Sequence, residues 1–295
     1  MNITNYMNLP EGFVKAVSVR RHNKPGRLSA TTLLNGTKQI HLMDRHWDEL
    51  EEDASDHFYA VFGSAIHKVI EMEEEGADEF TEEFISHEVD GVVVTGRIDN
   101  YNMRTGVISD YKSVSVWKIK FNDFEEWKKQ GLIYAWLLLK NGFMVKTCRF
   151  IAIIKDHSKR DAKRDSSYPR CPVYVHEFTV TQSGLEEIEA FIKTKVAEYK
   201  AAQDMADDEI PPCTPEQRWD KATKYAVKKE GRKTAVRVMD TEEEAMKLAE
   251  DLGPSNHYVE KRPGESIRCQ DYCSCCKFCN YYRDVVAVAE TQEVA

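Results

Sequence analysis

Gly96-Arg97-Ile98-Asp99, followed across a polar turn by Ile108-Ser109-Asp110-Tyr111-Lys112, is the stretch whose reading decides this chain. β-Branched residues flank Asn102-Met103-Arg104-Thr105-Gly106, with Val92, Val93, Val94 and Ile98 before it and Val107 and Ile108 after it. That pattern predicts a β-hairpin. Side chains two apart on a strand share a face, so Asp110 and Lys112 point the same way, and the fold-back brings Asp99 beside them. Two carboxylates held together repel unless a cation sits between them, and hard oxygen ligands suit Mg²⁺ or Mn²⁺. Lys112 beside such an ion is positioned to orient a water or to steady negative charge building on a phosphate. A lone Asp-x-Lys on an exposed hairpin is equally the pattern of a plain cross-strand ion pair, so the rest of the chain has to decide.

With 295 residues, 42% of them hydrophobic, the chain can bury a full core and hold one large domain plus a smaller one. No apolar run approaches bilayer length, and Met1 to Pro10 lacks the basic-then-apolar layout of a signal peptide, which predicts a cytoplasmic protein away from membranes. A net charge of -9 argues against a protein that coats nucleic acid without selectivity. It leaves room for a nuclease, because metal-holding carboxylates add to the negative sum. Eight cysteines, with Cys269, Cys273, Cys275, Cys276 and Cys279 crowded together, point to metal ligation rather than disulfides in a cytosolic chain.

Before the hairpin, Ser29 to Leu34 reads as a short helix, and Arg20, Arg21, Lys24 and Arg27 as a small basic cluster on a loop. From Asp56 to Glu75, Phe58, Phe62, Ile66, Val69 and Ile70 follow helical spacing, which predicts one face packed inward with His67 on the same helix. Glu88 reads as a solvated strand residue. After the hairpin, Trp127 to Leu139 is predicted helical, ended by Asn141-Gly142, with Gln130 and Tyr134 looking out from one side. Thr147 to Ile154 and Val173 to Val180 read as strands, joined by the basic, polar segment Lys155 to Arg170, and Leu185 to Ala202 as a closing helix.

Taken together, Gly63-x-x-x-His67, Gly96-x-x-Asp99, Asp110-x-Lys112 and Gln130-x-x-x-Tyr134 stand in the order and at the approximate separations of one family. Over roughly residues 29 to 185 the chain resembles the RecB-like, phage-exonuclease branch of the PD-(D/E)XK nuclease superfamily. The resemblance implies an α/β restriction-endonuclease-like core, a mixed central sheet flanked by helices, with the active site on one edge of the sheet. It implies that Asp99 and Asp110 hold Mg²⁺ or Mn²⁺, with the Tyr111 carbonyl and His67 as further ligands. Lys112 would position the attacking water, and Gln130 and Tyr134 would help hold DNA or the lysine. The expected activity is metal-dependent hydrolysis of phosphodiester bonds in DNA, as an exonuclease in phage-type recombination or processing, in the host cytoplasm if phage-encoded. A single-strand annealing or other recombination protein is the partner such a role implies. A DNA-binding or structural protein that keeps the fold, or an RNA-directed nuclease, are the alternatives.

Ile210-Pro211-Pro212 marks a boundary, giving a nuclease core with an N-terminal helical segment over 1–210 and a smaller unit over 211–295. Lys224 to Val238 alternates around Glu230-Gly231 as a hairpin should, Thr241 and Glu244 form a capping box, and Tyr258 to Glu260 is a candidate third strand. Lys228, Lys229, Arg232 and Lys233 make the hairpin basic, a candidate DNA-facing flap or simply a solvated face. The Cys-rich tail resembles the closing segment of AddB-type and CRISPR adaptation nucleases, in which three such cysteines and one upstream bind a [4Fe-4S] cluster. Here that implies Cys269, Cys273 and Cys279, with Cys213 as fourth ligand. The spacing departs from those relatives in its first gap and in the late position of Cys213, and four thiolates also suit Zn²⁺.

Overall fold

The computed structural model describes residues 1–18, 25–71, 76 and 78–288. Arg20, Arg21 and Lys24 of the basic cluster, and the expected end of the helix over 72–75, lie outside the described residues. The chain forms two compact units, Met1–Met205 and Ala206–Ala295, against a sequence expectation that divided it between 210 and 211.

The first unit is built on a six-stranded mixed sheet. Its strands are β1 (Arg27–Ser29), β2 (Glu79–Val89), β3 (Val92–Asn102), β4 (Val107–Val114), β5 (Thr147–Ile154) and β6 (Val173–Thr179). β3 is the hub. One of its edges is paired antiparallel with β2 from Val92 to Asn102, through a two-residue turn in which Asp90 and Gly91 both have positive φ, as such turns demand. Its other edge pairs in parallel with β1 as far as Thr95 and antiparallel with β4 from Asn100 onward. Gly96 to Asp99 falls in the interval between those two ladders. β4 then runs parallel to β5 along its whole length, and β5 antiparallel to β6.

Helices cover this sheet. α1 (Phe58–Glu71) lies along β4, α2 (Val116–Lys120) follows β4 directly, α3 (Glu125–Lys140) packs on the sheet, and α4 (Gln182–Ala202) packs on α3. α3 is apolar nearly all round, burying Trp127, Ile133, Trp136 and Leu137, because it is sandwiched between the sheet and α4. Glycines let it come close: a Cβ at Gly96 would meet Leu137 Cδ1 at 2.9 Å, and one at Gly131 would meet the Phe150 ring at 3.1 Å.

Two expectations need correction. Phe58 and Val69, expected on the inward face of α1, are exposed, and Phe62 and Ile66 are only half-buried, so this helix sits on the sheet without entering the core. Gln130 and Tyr134 do not look outward but are buried, since α3 has no solvated face over that span. The Lys155–Arg170 segment is tied down, with Tyr168 packed on Val116 and Ile154.

In the second unit, β7 (Lys224–Lys229) is central, flanked antiparallel by β8 (Arg237–Met239) and β9 (His257–Arg262). α5 (Glu242–Leu252) covers the small sheet through Ala245 and Ala249 on Val227. Thr241 caps α5 by accepting the Glu244 backbone N–H, the first half of the expected box, and Gly253 at φ 109° ends it. The basic hairpin is partly neutralised within the unit: Lys228 pairs with Glu260 at 2.8 Å, while Arg232 donates to Thr234. No helix among the described residues is long and apolar enough to cross a membrane.

Candidate active site

Where the β3–β4 ladder stops at Asn100 and Ser109, the next residues on each strand are Asp99 and Asp110. The strands part there, and Asp99 fills the break. Its Oδ2 accepts the Tyr111 backbone N–H at 2.7 Å, a donor that the ladder would otherwise have used. The site therefore opens between two middle strands, not on an outer edge of the sheet as expected. Edge strands need protection and offer little rigidity, whereas β3 is paired on its far side to β2 except opposite Asp99, and β4 is paired along its length to β5.

His67 reaches the same point from α1, its Nδ1 3.6 Å from Asp99 Oδ1 and 3.3 Å from Glu82 Oε1. Glu82 is the functional candidate that sequence reasoning missed. It lies on β2 opposite Asp99, interrupting the ladder, with a left-handed φ of 52° that costs a non-glycine residue backbone energy. Such outliers cluster at functional sites, and here the outlier is one of three residues, His67, Glu82 and Asp99, whose donor atoms lie within 4.8 Å of one another. Arg97 flanks Glu82 at 3.6 Å from the outer side.

Asp110 is 2% exposed, and Lys112 Nζ stands 2.6 Å from its Oδ2, yet that oxygen accepts no aligned hydrogen bond. Gln130 Nε2 donates a long bond of 3.5 Å to Asp110 Oδ1 and a better one of 2.9 Å to the Tyr134 hydroxyl. Tyr134, buried, with its phenol pKa pushed up by burial and by Asp110, stays a neutral donor. Burial, then the charge of Asp110, raises Asp99 well above the usual carboxylate range; burial also raises Asp110, against the pull of Lys112. These are acids short of positive charge. The imidazole of His67 and the carboxylates of Glu82 and Asp99, with the buried Asp110 beside them, are the donors a six-coordinate divalent ion of the Mg²⁺ or Mn²⁺ kind takes, with imidazole favouring Mn²⁺.

The structure thus brings together His67, Asp99, Asp110, Tyr111, Lys112, Gln130 and Tyr134. Lys228, Lys229, Arg232 and Lys233 belong to the other unit. So do Cys213, Cys269, Cys273 and Cys279. Burial first, then the negative charge of Cys273, Cys213 and Cys279, pushes the Cys269 thiol up to about 12, so these thiols feel one another. Cys275, not singled out from sequence, is buried with its Sγ 3.5 Å from that of Cys273, and the hydrogen bond between the two thiols holds Cys273 below the usual thiol range. Sulfurs around a tetrahedral zinc ion stand about 3.8 Å apart. Among the described residues the one group of three or more donors within 4.8 Å is His67, Glu82 and Asp99.

No family model matches the sequence, and no curated protein does. Solved structures are similar in fold. A protein described as SSO0001 is 16% identical at a TM-score of 0.44, covering 63% of this chain and 81% of its own. The alkaline exonuclease LHK-Exo of Laribacter hongkongensis is 16% identical at a TM-score of 0.37, covering 60% and 89%. A phage-related exonuclease of Haemophilus somnus 129PT is 12% identical at 0.32, covering 58% and 75%. The sheet-and-helix frame described above is mixed α/β, a central mixed sheet flanked by helices. What the site does is read from its side chains.

Proposed function

We propose that this chain is a divalent-metal-dependent deoxyribonuclease of the RecB-like PD-(D/E)XK type, acting as an exonuclease on DNA in phage-type recombination or processing. The observation that carries this reading is the convergence of His67, Glu82 and Asp99 beside the buried Asp110–Lys112 pair, at a break in the sheet. A structural ion pair needs one acid and one base; this site holds surplus buried carboxylates, an arrangement that costs stability unless a cation and a substrate use it.

A divalent ion held there would neutralise the scissile phosphate and make a bound water acidic enough to attack. His67, Glu82, Asp99 and Asp110 would hold it, with the Tyr111 carbonyl as a further oxygen. The chain's own groups do the positioning. Lys112, fixed against Asp110, presents a cation to the attacking water and to the charge that grows on the phosphate. Gln130 ties Tyr134 to Asp110, and the Tyr134 hydroxyl, accepting from Gln130, keeps its own hydrogen for a phosphate oxygen.

For the second unit we propose that Cys213, Cys269, Cys273 and Cys279, whose thiols act on one another electrostatically, hold a structural [4Fe-4S] cluster, with Zn²⁺ as the alternative. The deciding experiment for the enzyme is Mn²⁺-dependent digestion of end-labelled linear DNA against covalently closed DNA, with Lys112→Ala as control. Loss of linear DNA alone, abolished by the substitution, is the expected result. Equal turnover by Lys112→Ala would overturn the assignment.

A further inference from the structure

The end of α1 away from His67 carries an exposed aromatic pair, Phe58 and Tyr59, 54% and 56% accessible, with ring centroids 5.2 Å apart. Lys155, at the end of β5, lies over the Tyr59 ring at 3.4 Å, and its backbone N–H donates to Val114 at the end of β4. One turn further along the chain, α2 exposes a second pair, Trp117 and Phe121, 54% and 74% accessible and stacked at 5.7 Å. α2 is anchored there because Asp156, next to Lys155, accepts from Ser115 and Val116. Both pairs therefore stand at the end of the strand that carries Asp110 and Lys112.

Four large exposed rings at one end of a strand are costly in water and contribute little to the core. Lys118 and Lys120 interleave with them, but each is already paired, to Asp123 and Asp165. Exposed rings, with Tyr59 capped on one face by Lys155 and Trp117 approached by Lys120, beside lysines mostly neutralised by acids, suit stacking better than phosphate attraction. Duplex bases are stacked on one another and present no free face, whereas a single strand does. From Tyr59 to His67 is eight residues of helix, about 12 Å at the helical rise, so a strand stacked on these rings reaches the carboxylates within a few nucleotides.

We propose that Trp117, Phe121, Phe58 and Tyr59 form a base-stacking platform that holds the single-stranded end of DNA at the candidate active site. The proposal rests on the nuclease reading and names the form of DNA the site takes. The test is fluorescence anisotropy of the full chain, in EDTA so that nothing is cut, with a labelled oligothymidylate and a blunt duplex of equal length. Alanine at both Trp117 and Phe121 is expected to weaken oligothymidylate binding about ten-fold or more. Duplex binding should change less than about two-fold, and Trp117→Tyr should restore most of the loss, as a ring replaced by a ring does. Unchanged oligothymidylate binding, or an equal loss for both DNAs, overturns the platform while Mn²⁺-dependent cleavage still supports the nuclease. A double variant that alters the oligomeric state by sedimentation and leaves DNA binding intact makes the patch an interface between copies and also overturns it. If the wild-type chain binds neither DNA and cleaves none, both readings fall.

Discussion

Glu82 Oε1 lies 3.3 Å from His67 Nδ1, so a strand residue in a left-handed conformation and a helix residue meet beside Asp99. Each comes from a different element, and the sheet holds them at one point.

Glu82 is expected to serve as a ligand and not as a structural acid. Glu82→Gln should weaken Mn²⁺ affinity by at least about ten-fold, some 1.4 kcal/mol, by isothermal titration. The melting temperature in EDTA should hold or rise, since a half-buried carboxylate beside Asp99 is neutralised. Full-strength Mn²⁺ binding by Glu82→Gln would remove it from the site.

The buried acids make metal-free stability depend on pH in a stated direction. Asp99 is raised from 3.8 to about 7, by burial and then by Asp110, so the folded state holds its proton more tightly than the unfolded chain does. Its contribution is whole below about pH 4 and is lost as the pH climbs to about 7. Mn²⁺ replaces that proton, so the rise in melting temperature on adding Mn²⁺ should be larger at pH 8 than at pH 5, and Asp99→Asn should flatten the difference. An increment independent of pH in the wild-type chain would contradict the linkage.

Gly96 is required by close packing. A Cβ there would meet Leu137 Cδ1 at 2.9 Å and the Tyr134 ring at 3.0 Å, pressing α3 away from β3. Gly96→Ala should cost about 1–3 kcal/mol in urea unfolding. Because Tyr134 must shift, kcat should fall more than stability alone explains.

For the second unit, anaerobically purified chain should carry iron and inorganic sulfide with visible absorption, and Cys269→Ser should lose the colour. Stoichiometric zinc with no iron in the anaerobic preparation would reverse that assignment.

The hairpin and its three charged residues were legible because β-branched runs and a polar turn leave one register, and register fixes faces. The strand at Thr147 to Ile154 matched residue for residue. Glu82 was not legible as a ligand, being one acid among several between Glu79 and Glu88. Yet Asp90-Gly91 is a two-residue turn signal, and counting back from Val89 opposite Val92 sets Glu82 opposite Asp99. The burial of Gln130 and Tyr134 was hidden because the run from Gly131 to Leu139 is apolar on every side and gives no sign of which side meets the sheet. The exposure of Phe58 was hidden for the opposite reason: helical spacing of apolar residues says they share a face, not that anything covers it.

The two ladders on the far sides of β3 and β4 have a thermodynamic consequence. Repulsion between Asp99 and Asp110 cannot relax by swinging the strands apart, since β2 and β5 clamp them from outside. An arriving ion therefore meets donors that are pre-organised, with little reorganisation left to oppose it.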